Sequence, residues 1–287
     1  MATFTNQATL SYNGNTTTSN ITTGEILEVL SVTKTAVVNT YSANDRITYV
    51  ISIVNSGATA LNGLTVTDDL GGYTLPDGTT QVYPLTYEQK SVQYFINGVR
   101  QTAAPAVVAG PPMTFSGISV PAGGNTVLIY ETRVNQNAPL TTDSSITNRA
   151  AVSGGGLTTP VADTEIVAAS NEPLLTISKS LNPTTVTENG QVTYTFVIQN
   201  AGNTAAQGDD NVIVIDIFNP TLNAISVTFN GITWTEDTHY TYNAATGTFS
   251  TLPGQITVPA AAYTQDPTTG AWTTNPGVSV LTVTGTI

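Results

Sequence analysis

The chain has no cysteine in 287 residues. Disulfides and thiolate metal sites are therefore excluded, and any covalent reinforcement must use other side chains. There is one histidine, His239, which rules out a multi-histidine metal centre and argues against a histidine-based triad. Lys and Arg number seven against nineteen acids, for a net charge of −12. So few cations cannot build the basic track that a phosphate backbone requires, so no nucleic-acid partner is expected. Attraction to an anionic membrane is excluded on the same ground, and no apolar run nears the roughly 18 residues of a membrane span. The opening residues, MATFTNQATL, lack the basic stretch and apolar core of a Sec signal peptide. Either a leader has been removed or the protein is made in a cytoplasm and reaches its destination another way. The glycine pair 123–124 and the glycine run 154–156 have no strand–loop–helix context for a phosphate loop. No cofactor is expected.

Charged residues make up 9% of the chain, well below the roughly 25% of ordinary globular proteins. Hydrophobic residues reach 40%, too many for a disordered chain. Runs rich in Thr and Val between Gly, Asn and Pro turns read as strands, and no long amphipathic helix period is present. The expected fold class is all-β, with two immunoglobulin-like β-sandwich domains in tandem behind an N-terminal donor strand.

The second half repeats the first. Residues 30–34 (LSVTK) match 175–179 (LTISK), and 47–55 (ITYVISIVN) match 192–200 (VTYTFVIQN). LTVTD at 64–68 matches VIVID at 212–216, and ISVP at 118–121 matches ITVP at 256–259. Asn97-Gly98 matches Asn230-Gly231, and each pair favours a tight type I′ hairpin. The strand at 126–134 matches 278–287. The expected division is a donor strand and linker over 1–28, a first sandwich over 29–154, a linker over 155–173, and a second sandwich over 174–287 that lacks its last strand.

That last strand is the informative one. In the first domain it is ITNRAAVS, residues 146–153, and its near copy is FTNQATLS, residues 4–11. A sandwich without this strand exposes an unpaired edge. The expected solution is head-to-tail exchange, in which the start of one subunit completes the second domain of the next. Such a heterologous contact does not close and builds a filament. Phe4, Ala8 and Leu10 are the expected packing residues of the donated strand.

The chain has three lysines, Lys34, Lys90 and Lys179. Lys34 and Lys179 share one repeat position, at the end of a strand expected to face a core. Lysine is rarely buried without a partner. Asp68 and Asp216 stand at matched strand ends, with Asp69 a rival to Asp68. Asn148 and Asn6 occupy the matched position of the TNxA strands. Lys, Asp and Asn together can form an isopeptide bond. Burial strips the proton from the amine and makes it a nucleophile, while a protonated Asp polarises the carboxamide and shuttles protons as ammonia leaves. The expected bonds are Lys34–Asn148 within a subunit, helped by Asp68, and Lys179–Asn6 between subunits, helped by Asp216. The alternative reading is ordinary Lys–Asp salt bridges.

The blocks LSVTKTAV, RITYVISIVNSG, LTVTDDL and SITNRAAVS resemble the bacterial surface conserved-repeat domain, a domain of unknown function numbered eleven. The resemblance covers residues 30–153 fully and 175–287 in truncated form. It implies a cell-wall or spore-surface protein of Gram-positive bacteria. The chain is also similar to the spore appendage fibre proteins of clostridia, which implies assembly in the mother-cell cytoplasm and release on lysis. The function expected is therefore a structural subunit of an extracellular, spore-attached fibre, a homopolymer with no enzymatic role beyond its own bond formation. An anchor or tip protein of unknown identity is left open. The rival readings are a monomeric surface adhesin or carbohydrate-binding module, using Trp234, Trp272 and the twelve tyrosines, and a hydrolase, for which His239 with Glu236 and Asp237 is too loose a cluster. Asp209, Asp210 and Asn211 could offer oxygen ligands to Ca²⁺ but read more simply as a polar loop, and no metal is expected.

Overall fold

The computed structural model describes residues 2–26 and 29–287. Apart from one 3-10 turn at Gly208–Asp210, its regular elements are all β-strands. Among the described residues no helix is long and apolar enough to cross a membrane. The structure falls into an N-terminal arm and two sandwiches.

The arm holds β1 (Ala2–Asn6), β2 (Thr9–Tyr12), β3 (Asn15–Thr18) and β4 (Thr22–Ile26). β1 pairs with β4 and β2 with β3, so the segment is a folded-back ribbon. The polar stretch after Ser11, read as a linker or loose strand, is therefore paired strand at 15–18 and 22–26. Asn13 and Gly14 both take positive φ (45° and 81°), the geometry of a tight hairpin turn, and the threonines that follow favour extended backbone. Side chains 5–23 are all exposed. Ala8 and Leu10 therefore lie outside both cores of their own chain. The Phe4 side chain lies outside the described residues.

The first sandwich comprises β5 (Leu30–Ala36), β6 (Thr40–Tyr41), β7 (Arg46–Asn55), β8 (Leu61–Asp68), β9 (Tyr73–Thr74), β10 (Gln81–Val82), β11 (Leu85–Tyr87), β12 (Gln93–Ile96), β13 (Val99–Arg100), β14 (Ala106–Val108), β15 (Met113–Val120), β16 (Asn125–Val134), β17 (Ser145–Gly154) and β18 (Val161–Ala169). One sheet runs β13-β12-β16-β7-β5, the other β14-β15-β8-β17-β18-β6. Period-two alternation turns Ile47, Tyr49, Ile51 and Ile53 of β7 inward against Val66 of β8 and Phe115 of β15. The expected linker at 155–173 is corrected here. Residues 161–169 form β18, antiparallel to β17 over its length, with Val167 fully buried. β17 already pairs with β8 on one side, and an unpaired second edge would leave its backbone groups open.

The second sandwich comprises β19 (Leu175–Asn182), β20 (Gln191–Asn200), β21 (Ile215–Ile217), β22 (Asn223–Phe229), β23 (Ile232–Trp234), β24 (Tyr240–Asn243), β25 (Thr248–Thr251), β26 (Ala262–Gln265), β27 (Trp272–Asn275) and β28 (Gly277–Thr286). Its larger sheet, β19-β20-β28-β22-β23, reproduces the β5-β7-β16-β12-β13 order of the first sheet, without a counterpart of β11, which also pairs with β16. Both hairpins turn through Asn-Gly, at φ 48° and 77° for residues 97–98 and 49° and 79° for residues 230–231. The facing sheet is reduced to β21-β25-β24. Residues 256–259, expected to repeat the end of β15, form no strand. Ile256 and Val258 are still buried, and Val258 bridges only to Ala206.

The β26–β27 hairpin leaves the second sandwich and leans on the first. Gln265 donates to the Tyr73 hydroxyl at 2.8 Å, and the Trp272 amide donates to the Gln136 carbonyl at 2.8 Å. At the hairpin tip, a Cβ on Gly270 would lie 2.6 Å from Val82. Only glycine allows that approach, and its φ of 71° is likewise unfavourable for other residues.

Candidate functional site

The first sandwich brings Lys34, Asp68 and Asn148 into one core from three strands. Strict alternation along β5 points Leu30, Val32 and Lys34 inward. Asp68 ends β8. Asn148 faces inward from β17, whose register sets Ala150 opposite Asp68. The Lys34 and Asp68 side chains are both fully buried, and Nζ donates to Oδ2 at 2.5 Å. Tyr130 donates from its hydroxyl to the same oxygen, and the Leu70 amide donates to Oδ1 at 2.8 Å. The Lys34 ammonium position lies 4.7 Å from the centre of the Tyr49 ring. Burial pulls the Lys34 amine below its ordinary value of 10.5, and the Asp68 charge opposes that shift without cancelling it.

Asn148 is the anomaly. It is fully buried, and neither its Oδ1 nor its Nδ2 has a hydrogen-bond partner. A buried amide left unpaired costs on the order of 1–3 kcal/mol. The Tyr49 hydroxyl is also buried and unpartnered. Burial pushes that phenol far above its usual value, and the neighbouring Asn148 amide draws it partly back without reaching hydrogen-bond geometry. Asp69 faces away from the lysine. Its carboxylate accepts from the amides of Arg149 (2.9 Å) and Gly71 (3.0 Å), and burial raises its pKa. Asp68, not Asp69, is therefore the carboxylate that accepts from the Lys34 side-chain amine.

Four residues around this site escaped the sequence reading. Tyr49 was legible in principle, because Tyr194 repeats it. Tyr130 has no such repeat. It stands opposite Tyr49 in the β16–β7 ladder, whereas Val283 stands opposite Tyr194 in the β28–β20 ladder. Asp163 and Glu165 lie on β18. Their carboxylates accept from the backbone amides of Lys34 (2.8 Å) and Ala36 (3.1 Å), which closes the outer edge of β5.

The second sandwich holds the same lysine and aspartate without the cover. Lys179 Nζ contacts Asp216 Oδ2. The lysine lies over the rings of Tyr194 (4.5 Å), Phe218 (5.3 Å) and Phe196 (5.4 Å). Its side chain is 40% exposed, against 0% for Lys34. Ile177 is 55% exposed, while its counterpart Val32 is 8% exposed. β21 pairs with β25 on one edge only. No described residue of the second sandwich takes the places of Asn148, Asp163 or Glu165. Asn6 sits in the exposed arm opposite Thr22, so a single chain does not bring it to Lys179.

The remaining candidates are ordinary structure. His239 takes the Thr235 amide on Nδ1 in an exposed turn and stacks on Trp234. Trp234 packs on Phe229 in the second core, and Trp272 lies at the junction of the two sandwiches. Asp210 closes its own turn by accepting from the Gln207 amide. Among the described residues no group of three or more His, Asp or Glu is placed to hold a metal ion.

No family model matches the chain, and no curated protein matches it. Distant likenesses exist among solved structures. The pilus backbone RrgB from Streptococcus pneumoniae is 9% identical with a TM-score of 0.35, over 86% of this chain and 55% of that one. The major pilin SpaD from Corynebacterium diphtheriae is 11% identical with a TM-score of 0.36, over 86% of this chain and 61% of that one. A collagen-binding domain from a Staphylococcus aureus adhesin is 9% identical with a TM-score of 0.31, over 49% of this chain and 99% of that one. The chain thus spans little more than half the length of the two pilins. Likenesses this weak carry no inference about activity, and the sandwich assignment rests on the strand pairing itself.

Proposed function

We propose that this chain is the structural subunit of a self-assembling extracellular fibre, joined head to tail by its N-terminal arm and stapled by Lys–Asn isopeptide bonds. The observation that carries the reading is the contrast at the lysines. The first sandwich covers Lys34 with a TNxA strand, and the second leaves Lys179 open while an exposed arm carries the matching strand. Placed in the β17 register, the arm sets Ala8 opposite Asp216, Asn6 over Lys179, and Leu10 where Val152 is buried.

In the first sandwich the neutral Lys34 amine attacks the side-chain carbonyl carbon of Asn148. Asp68 supplies a proton to the carboxamide and relays the amine proton to the departing nitrogen. The new amide bond replaces the old one, and one ammonia leaves. Tyr130 holds the Asp68 carboxyl in place. Confinement in a packed core supplies the proximity that such a reaction needs, and the orphaned Asn148 amide finds its role as the acceptor. The Lys179–Asn6 bond between subunits follows the same chemistry, with Asp216 in the Asp68 role. The resemblance to bacterial surface-repeat proteins supports a cell or spore surface as the site of the fibre.

Intact mass spectrometry of the purified chain tests the reading. The expected mass is short by one ammonia per bond, and boiled samples give an SDS-resistant ladder. Removing residues 1–11, or changing Asn6 or Lys179 to Ala, is expected to abolish the ladder and keep the intramolecular loss. A monomer of full mass would overturn the proposal.

A further inference from the structure

We propose that the arm docks as a two-stranded ribbon, so that residues 15–26 seal the next subunit's β19 while residues 2–12 fill the slot beside β21. This rests on the strand-exchange reading above and adds a second donated strand to it.

The template is the first sandwich. There β17 never stands alone, because β18 runs back along it from Ser145 to Val152. β17 fills the space beside β8, and β18 closes the edge of β5 through Asp163 and Glu165. Val167 of β18, opposite Ile146, is fully buried. Two strands are thus needed to bury one Lys34.

The arm has the same plan in the same chain order. β1 and β2 carry the copy of β17, and the Asn13-Gly14 turn leads into β3 and β4, which pair back along them. Thr22 stands opposite Asn6 as Glu165 stands opposite Asn148. Within residues 174–287 no strand corresponds to β17 or β18. β21 has a free edge, and most side chains along β19 are exposed, Ile177 and Lys179 among them, whereas Leu30, Val32 and Lys34 of β5 are buried. A single strand beside β21 leaves the β19 edge, including Ile177, open to water. The occupant is a second copy of this chain, because the arm repeats the sequence and hairpin order that already cover the equivalent site.

The test compares two variants by boiled-gel ladder and by electron microscopy of unboiled fibres. One lacks residues 1–11. The other keeps residues 1–12, Asn6 included, and replaces 13–26 with a Gly/Ser segment of equal length. Both are expected to lose fibres and ladder. A full ladder from the replacement variant, with none from the deletion, overturns the two-strand docking and leaves strand exchange standing. A ladder from the deletion variant overturns strand exchange itself, and this inference with it. A second measurement guards against poor presentation of the remaining strand. Thr22→Cys in an Asn6→Ala chain is mixed with a Leu181→Cys chain, Leu181 being the counterpart of Ala36. The background is cysteine-free, so the only competing disulfides are the two homodimers, and peptide mapping by mass spectrometry separates those from the mixed link between positions 22 and 181. A reducible dimer between the two variants supports the docking, and its absence in fibre-forming mixtures overturns it.

Discussion

The two sandwiches hold the same Lys–Asp contact in different surroundings. Lys34 and Asp68 are fully enclosed, while Lys179 and Asp216 retain 40% and 18% side-chain exposure. The difference lies in the strands on either side. β17 and β18 cover the first pair, and nothing within residues 175–287 stands in their place. A lysine at the end of an alternating strand is thus not buried by its own strand pattern. It is buried only when a second sheet closes over it.

The largest test of this contrast removes each lysine in turn. Lys34→Ala is expected to destabilise the chain by about 3–5 kcal/mol, because it strands the Asp68 carboxylate in the core. Lys179→Ala in unassembled protein is expected to cost at most about 1 kcal/mol, since solvent screens that pair. Denaturant titration reads both, and equal costs would break the comparison. Tyr130→Phe removes one donor from Asp68, with an expected loss of about 1.5–3 kcal/mol and slower ammonia loss by time-resolved mass spectrometry. Val283 offers the second sandwich no such donor, so Val283→Ala is expected to leave the Lys179 reaction at its normal rate.

A smaller effect is expected with pH. In an Asn148→Ala chain, which lacks the proposed acceptor, the unfolded state keeps the Lys34 proton up to 10.5, and the folded state releases it lower. Between those two values the unfolded chain binds more protons, so stability rises with pH. A flat or falling profile there would show that the Asp68 charge outweighs burial. The smallest expected effect is that of Ile177→Ser, within about 0.5 kcal/mol in the monomer because the site is already exposed. The same change is expected to weaken fibre formation, whereas Val32→Ser at the matched buried position costs stability in the monomer itself.

The Asn-Gly turns were legible because two residues and their backbone preferences decide them. The inward face of β5 was legible because alternation is a local pattern. Lys34, Asp68 and Asn148 were legible as a trio because the repeat marked the first two and the TNxA copy marked the third. β18 was not, because its small and polar residues read as a linker until β17 supplied a partner. The arm's fold-back was missed for a similar reason, as exposed threonines carry no inward face to read.

From residues alone came the all-β class, the internal repeat, the duplicated TNxA strand and the absence of any cysteine staple. Only the tertiary structure decided that Tyr130 joins Lys34 and Asp68, that Asn148 is buried without a partner, and that Lys179 stands open. Strand period and turn chemistry are short-range and written in neighbouring residues. Burial and contact across two sheets depend on which distant strands lie side by side, and no local pattern encodes that.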